Sequence, residues 1–424
     1  MSKRIYIFLS LSFFLFSIHF NYGQSIKVSE FLSNSNSNAN IALQKALQSD
    51  FDTIILDNDV RHWVFTPLTI SNLKKKIIVI EKDIEIHAKK KSFPKPTDSL
   101  FEFLNCEDIH IYGNGAKICM NKDEYIDGEW RHAFSLKKSK NITIKNLEIY
   151  GSGGDGLYIS GMEKGTFSEN IFIENILSSN NKRQGISIIS ARNVHVIQSR
   201  FANTVGTLPG AGVDIEPNNK WNTIDEIFFS QCIFENNDHS GILIALSKLD
   251  STSHPINIKF ERCIIRSNHS KENTYVASEI VLSANKESPV KGKVSFNQCT
   301  IENSEWGFLY SRKVKDAYTV SFEDCIIRNI CKSETYPPVL FEVPDYHFGS
   351  YSLGGYNFKN ITVKYETKVP LLLVRGSSLG TLVNFSNVKG QINLFNSKSI
   401  DFIEYIKYNP TNNINVDLLI DKVN

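Results

Sequence analysis

In the pentapeptide GVDIE, beginning at Gly212, two acids take alternate positions of an apolar run. The matching stretch GISII, 27 residues earlier, carries Ser187 and Ile189 at the same places. Asp214 and Glu216 therefore leave one side of a strand together, ~6.6 Å apart at their backbones. Two carboxyls at such a distance suit glycosidic cleavage, in which one acts as acid and the other as base or nucleophile. A close like-charged pair raises one pKa and so divides those roles. Alignment of the neighbouring copies on their glycines brings further groups to the same region. His132, Asp155 and Gln184 form the column just before the glycine, with Arg131 and Arg183 one step earlier. Tyr158 shares the outward column of Asp214, and EWRH (129–132) adds Trp130. The expected site thus has Asp214, Glu216, Asp155 and His132 as catalytic groups. Arg131, Arg183, Tyr158, Trp130 and Gln184 would hold the substrate, since guanidinium forks and aromatic rings suit acidic groups and sugar faces. Plainer readings exist for the same residues. Asp214 and Glu216 could pair with Arg183 and Lys220 at the surface. Asp155 in SGGDG is a natural turn former. The three acids are also hard oxygen donors of the kind calcium takes, while no other metal is implied.

These residues are positioned by a repeat. Strands that open on Gly or a small residue recur as AFSL at Ala133, GLYIS at Gly156, GISII at Gly185, GVDIE at Gly212, GILIA at Gly241 and GFLYS at Gly307. From Ala133 to Gly241 they step by 23, 29, 27 and 29 positions. A second strand type follows, as in NITIKNLEI from Asn141, NIFIENILS from Asn170 and NVHVIQSRF from Asn193. Units of this size cannot bury their apolar sides alone and must stack on one another. The pattern predicts an all-β chain, a right-handed parallel β-helix, with Leu157, Ile159, Ile186, Ile188, Val213 and Ile215 pointing inward. The segment SNANIALQKALQ, with Ile41, Leu43, Ala46 and Leu47 at near-helical spacing, predicts a helix capping the N-terminal end. KKKSFPKPTDS (89–99) reads as a loop. ETYPPVLFEVPDYHFGSYS (334–352) reads as a loop on one face or a coil with a long excursion.

The 424 residues carry 47 basic and 45 acidic side chains, a formal charge of +2, which argues against a nucleic-acid partner held by phosphate neutralisation. Lys3 and Arg4 precede the apolar run IYIFLSLSFFLFSIHF, so residues 1–23 read as a bacterial-type signal peptide cleaved after Gly23. The mature chain, 24–424, is then one domain, secreted or periplasmic, monomeric, and without a transmembrane anchor. Of seven cysteines, Cys232, Cys263, Cys299 and Cys325 recur at one place in the strand. They read as small hydrophobes stacked in a core rather than as disulfides or a zinc clamp.

With the coils and GGDGLYIS in hand, the chain resembles the pectin-lyase-like superfamily of right-handed parallel β-helix proteins. The opening IALQKALQSDFDTIILDNDV resembles the capping helix and first strand common there. The resemblance implies an exported protein acting on polysaccharide by hydrolysis, β-elimination or uronate epimerisation. GDGLYIS is similar to the first acidic motif of polygalacturonase-type glycoside hydrolases, which implies a catalytic role for Asp155. Arg183 and Gln184 stand where those hydrolases carry Gly–His. The leading expectation is a glycoside hydrolase working in a groove on the solenoid face, on a polysaccharide or oligosaccharide and without a cofactor. A lyase or epimerase on uronate-containing glycans, with Arg183 or His132 taking the proton, is one alternative. A non-catalytic glycan-binding or adhesive solenoid is the other.

Overall fold

The computed structural model describes residues 23–32, 38–269, 278–345, 348–398 and 402–423. The expected signal segment 1–23 lies outside them except for Gly23. Strands stack in parallel, coil on coil, as two sheets. One has twelve short strands running from Leu68–Ser71 to Ile403–Ile406 and contains all the Gly-type copies. The other has twenty-one and wraps the remaining sides. The expected outward column is in register, because Tyr158 faces Ser135 and Ser187, Ser187 faces Asp214, and Asp214 faces Leu243. Leu157, Ile159, Ile186, Ile188, Val213 and Ile215 are wholly buried on the opposite, inner side.

Two inner columns repeat one side-chain type over several coils, so identical shapes pack ~4.8 Å apart. Phe229, Phe260, Phe296, Phe322 and Phe358 stack with ring centroids 5.0, 5.0, 4.7 and 5.7 Å apart and planes within 10° of parallel. Cys232, Cys263, Cys299 and Cys325 are buried and unbridged, and each thiol points at a carbonyl of a neighbouring coil. The turns use asparagine for a related reason. Asn141, Asn170 and Asn193 sit at φ of 56°, 57° and 52°, a left-handed conformation that Asn tolerates better than most residues. Their amides then link coil to coil at 2.8 Å, Asn193 to Asn170 and Asn170 to Asn141.

The capping helix spans Ala39–Gln48, with the Asn38 side chain accepting from the Asn40 amide at 2.9 Å. It buries Ala42, Leu43, Ala46 and Leu47, whereas Ile41, expected on that face, is 50% exposed. One expectation about the repeat is corrected. Gly307 does not occupy the glycine column, since Leu309 pairs with Ile280 and places Phe308 there. Of the two readings of 334–352, the coil is the one observed, because Val339–Glu342 is a full member of the twelve-stranded sheet. The repeat also contains the strand Ile280–Ala284, in which Glu279 stands at the glycine position. Glu279 is wholly buried and accepts from the amide and side chain of Asn268 at 3.2 and 2.6 Å. It serves the interior turn ladder rather than the outer face.

Because the phenylalanine column is continuous, one gap should weaken both adjoining interfaces. Phe296→Ala is expected to cost about 3–5 kcal/mol, read as a lower urea midpoint than the native chain. An unchanged midpoint would contradict the stacked core.

Candidate active site

Four segments from consecutive coils meet beside the Gly-type strands. Gly154 allows the first approach: a Cβ there would lie 2.5 Å from the Glu129 carbonyl and 3.0 Å from Nδ1 of His132. The chain 129–132 thus packs directly on SGGDG. At Gly185 a Cβ would lie 2.5 Å from the Gly212 carbonyl, which explains why the strands open on glycine. These contacts bring Arg183, from the coil between, into the middle of four acids.

Its guanidinium lies 3.2 Å from Glu129 through Nε and 3.8 Å from Asp155 through Nη1. Nη2 lies 3.9 Å from Asp214 and 3.6 Å from Glu216. Asp155 and Asp214 are wholly buried, while Glu129 and Glu216 keep 41% of their side-chain surface in solvent. One cation among four anions leaves a deficit of positive charge in a site that water reaches only at its rim. Burial pushes Asp155 up to about 7, against the pull of Arg183. Burial, and then the neighbouring Glu216, raises Asp214 well above the usual carboxylate range, again opposed by Arg183. Burial acts to lower the Arg183 pKa, but Asp155, Asp214, Glu129 and Glu216 together raise it. Both Asp155 oxygens and Oδ1 of Asp214 are buried without a hydrogen-bond partner.

The remaining expected residues divide. Gln184 is buried and donates to Asp214 at 3.1 Å while accepting from the Ala211 amide at 2.7 Å, so it orients an acid and does not reach substrate. His132 accepts the Asp155 amide proton on Nδ1 at 3.1 Å, with Oδ2 of Asp155 3.4 Å away. Burial, followed by the charges of Lys137 and Arg183, holds it well below its ordinary pKa, so the ring is neutral. Tyr158 stacks on it with centroids 4.3 Å apart and planes at 9°. Arg131 is turned to another use. Its guanidinium donates to the carbonyls of Phe93, Pro94 and Asp127 and pins the 89–99 loop, because the chain bends before the strand. Trp130 is 48% exposed. Lys220 pairs with Asp250 at 3.3 Å and not with the site acids. The Arg183 guanidinium lies among the acids that a calcium ion would take as ligands. Glu129 was not singled out by the repeat, since it sits in the EWRH loop outside the strands. Its adjacency to Arg131 and His132 was the available signal.

Two hollows flank the cluster along the next outward column. A pocket of about 460 Å³ is lined by Glu216, Ala245, Ser283, Lys286, Arg312 and Tyr351. A second, of about 390 Å³, is lined by Lys137, Tyr158, Ser160, Asn218, Asn219 and Trp221. The chain 216–222 passes between them. Together they follow seven successive coils of the sheet, ~30 Å at coil spacing, with Glu216 near the middle.

Residues 108–312 match the family model described as a right-handed β-helix region. No curated protein matches the sequence. Among solved structures, the Agl-KA catalytic domain aligns with a TM-score of 0.57 at 14% identity, covering 94% of this chain and 68% of that one. The A-module of the Azotobacter vinelandii mannuronan C-5 epimerase AlgE6 aligns at 0.56 and 12%, covering 93% and 98%. A tailspike protein mutant of E. coli bacteriophage HK620, in complex with hexasaccharide, aligns at 0.57 and 10%, covering 90% and 78%. The fold is therefore the right-handed parallel β-helix. Among the described residues no helix is long and apolar enough to cross a membrane.

The folded pKa of Asp155, about 7, lies above its ordinary 3.8, so the folded chain binds that proton more tightly than the unfolded one. Its contribution to stability is complete below about pH 4 and is lost as the pH rises through about 7. Asp155→Asn should make the fall in melting temperature from pH 4 to pH 8 shallower. The same fall in variant and native chain would contradict a buried, protonated Asp155.

Proposed function

We propose that this right-handed parallel β-helix is an exported polysaccharide hydrolase whose catalytic centre is the carboxylate cluster around Arg183. One observation carries the reading: two buried acids whose pKa burial raises, Asp155 to about 7, gather with Glu216 around Arg183, and Glu216 lines an open pocket of about 460 Å³ on the outer face. The epimerase's mannuronan and the tailspike's hexasaccharide support a glycan as the occupant. Lys3, Arg4 and the apolar run after them support export.

Glu216 is the member of the Asp214–Glu216 pair that reaches solvent, so it faces the glycosidic oxygen. Asp214, whose pKa the neighbouring Glu216 helps to raise, stands behind it as a proton reserve. Coupled so closely, the pair does not serve as the acid and base that an inverting mechanism holds ~6.5–9.5 Å apart. The second carboxylate is then Glu129, 41% exposed at its side chain and 3.2 Å from Nε of the same guanidinium, where it would activate water. Arg183 keeps the two solvent-facing acids apart and lowers the cost of charge as the proton leaves. Gln184 and His132 position Asp214 and Asp155 respectively, and Tyr158 offers a ring edge to the groove.

No comparable observation favours elimination. Its base would have to be Arg183, which its acids keep protonated, or His132, whose Nδ1 is occupied by an amide. Adhesion without turnover would not require acids buried with raised pKa.

Incubation with a panel of neutral and acidic glycans is expected to release new reducing ends without ultraviolet-absorbing unsaturated products. Glu216→Gln should lower that turnover by roughly 10²–10⁴-fold with the melting temperature retained. Unsaturated products, binding without any product, or full activity in the variant would each overturn the assignment.

A further inference from the structure

Away from the carboxylate cluster, near the N-terminal end of the larger sheet, three potential metal ligands share an outward face. The strands His62–Phe65 and Glu85–Ala88 pair in parallel with His62 opposite Glu85 and Val64 opposite His87. Trp63, Phe65, Ile86 and Ala88 fill the core, which commits the alternate residues His62, Glu85 and His87 to the outside. Oε2 of Glu85 lies 3.4 Å from Nδ1 of His62 and 3.1 Å from Nε2 of His87. All three ligand atoms fall within 4.8 Å of one another.

Zinc bonds of ~2.0–2.1 Å in tetrahedral array place ligand atoms ~3.3–3.4 Å apart. The two distances to Glu85, 3.4 and 3.1 Å, lie within ~0.3 Å of two edges of such a site. The donor set, two imidazoles and one carboxylate, is one that zinc takes when a fourth position stays open to water. The side chains are 56%, 37% and 38% exposed, so that position faces solvent. A plain ion pair accounts less well for the cluster, because one carboxylate needs one cationic imidazole and has two rings turned to it. In the following coil Lys117 lies opposite Glu85 and Cys119 opposite His87. Among the described residues, Lys117 is the positive charge in register beside the site.

We propose that His62, Glu85 and His87 form a binding site for a divalent transition-metal ion of the zinc type. The ion would tie the His62 strand to the next coil through side chains, in addition to the backbone ladder.

The test is calorimetric titration of the full chain, freed of any affinity tag and treated with chelator, with zinc chloride at pH 7.5. One zinc per chain is expected, with a rise in melting temperature and no such response to calcium chloride. His62→Ala/His87→Ala should weaken zinc binding by at least about tenfold while leaving the metal-free melting temperature unchanged, since both side chains are exposed. Absence of zinc binding by the native chain would overturn the proposal. Equal binding by the double variant would overturn it too, because the zinc would then lie elsewhere.

Discussion

Coil is tied to coil by parallel backbone hydrogen bonds whose register carries from one rung to the next. A slip of one residue would turn every inner isoleucine outward and every outward acid inward. The stacked phenylalanines, the thiol column and the asparagine ladders all oppose that slip, since each needs its own kind directly above and below. The site depends on the same constraint. Asp155, Arg183 and Asp214 belong to three successive coils, separated in sequence by 28 and 31 residues, and they converge only while those coils stay in phase.

Within that frame, the electrostatics of the cluster follow from burial. A guanidinium at 3.6–3.9 Å from three carboxylates attracts them but does not hydrogen-bond them tightly. The cost of ionising an acid away from water therefore exceeds the attraction, and the pKa of both Asp155 and Asp214 is raised. A tight bidentate pair would have the opposite outcome, with acids held ionised. In the proposed reaction, the loose geometry is what would let the cluster hand on a proton.

The architecture was legible because alternation and the recurring glycine align the strands by themselves. The column Tyr158, Ser187, Asp214, Leu243 could be read from sequence and is the one observed. Legibility failed where the chain bends. Arg131 and Arg183 occupy equivalent places in the repeat, yet one guanidinium pins a loop and the other enters the acids. Strand periodicity does not extend into the corner where they diverge. Burial of Asp214 was also hidden, since an outward position on a strand predicts exposure unless neighbouring coils cover it. Glu129 lies in a loop with no period, and Glu279 hides at a column position where the preceding coils have glycine. The helix face was misjudged at Ile41 because spacing of near-helical type does not distinguish Ile41 from Ala42.

Neutron diffraction from deuterated crystals grown at pH 6 would look at the protons of the cluster themselves. The account predicts deuterium density on a carboxyl oxygen of both Asp155 and Asp214, with Arg183 fully deuterated. Bare, ionised carboxylates on both residues at that pH would contradict it.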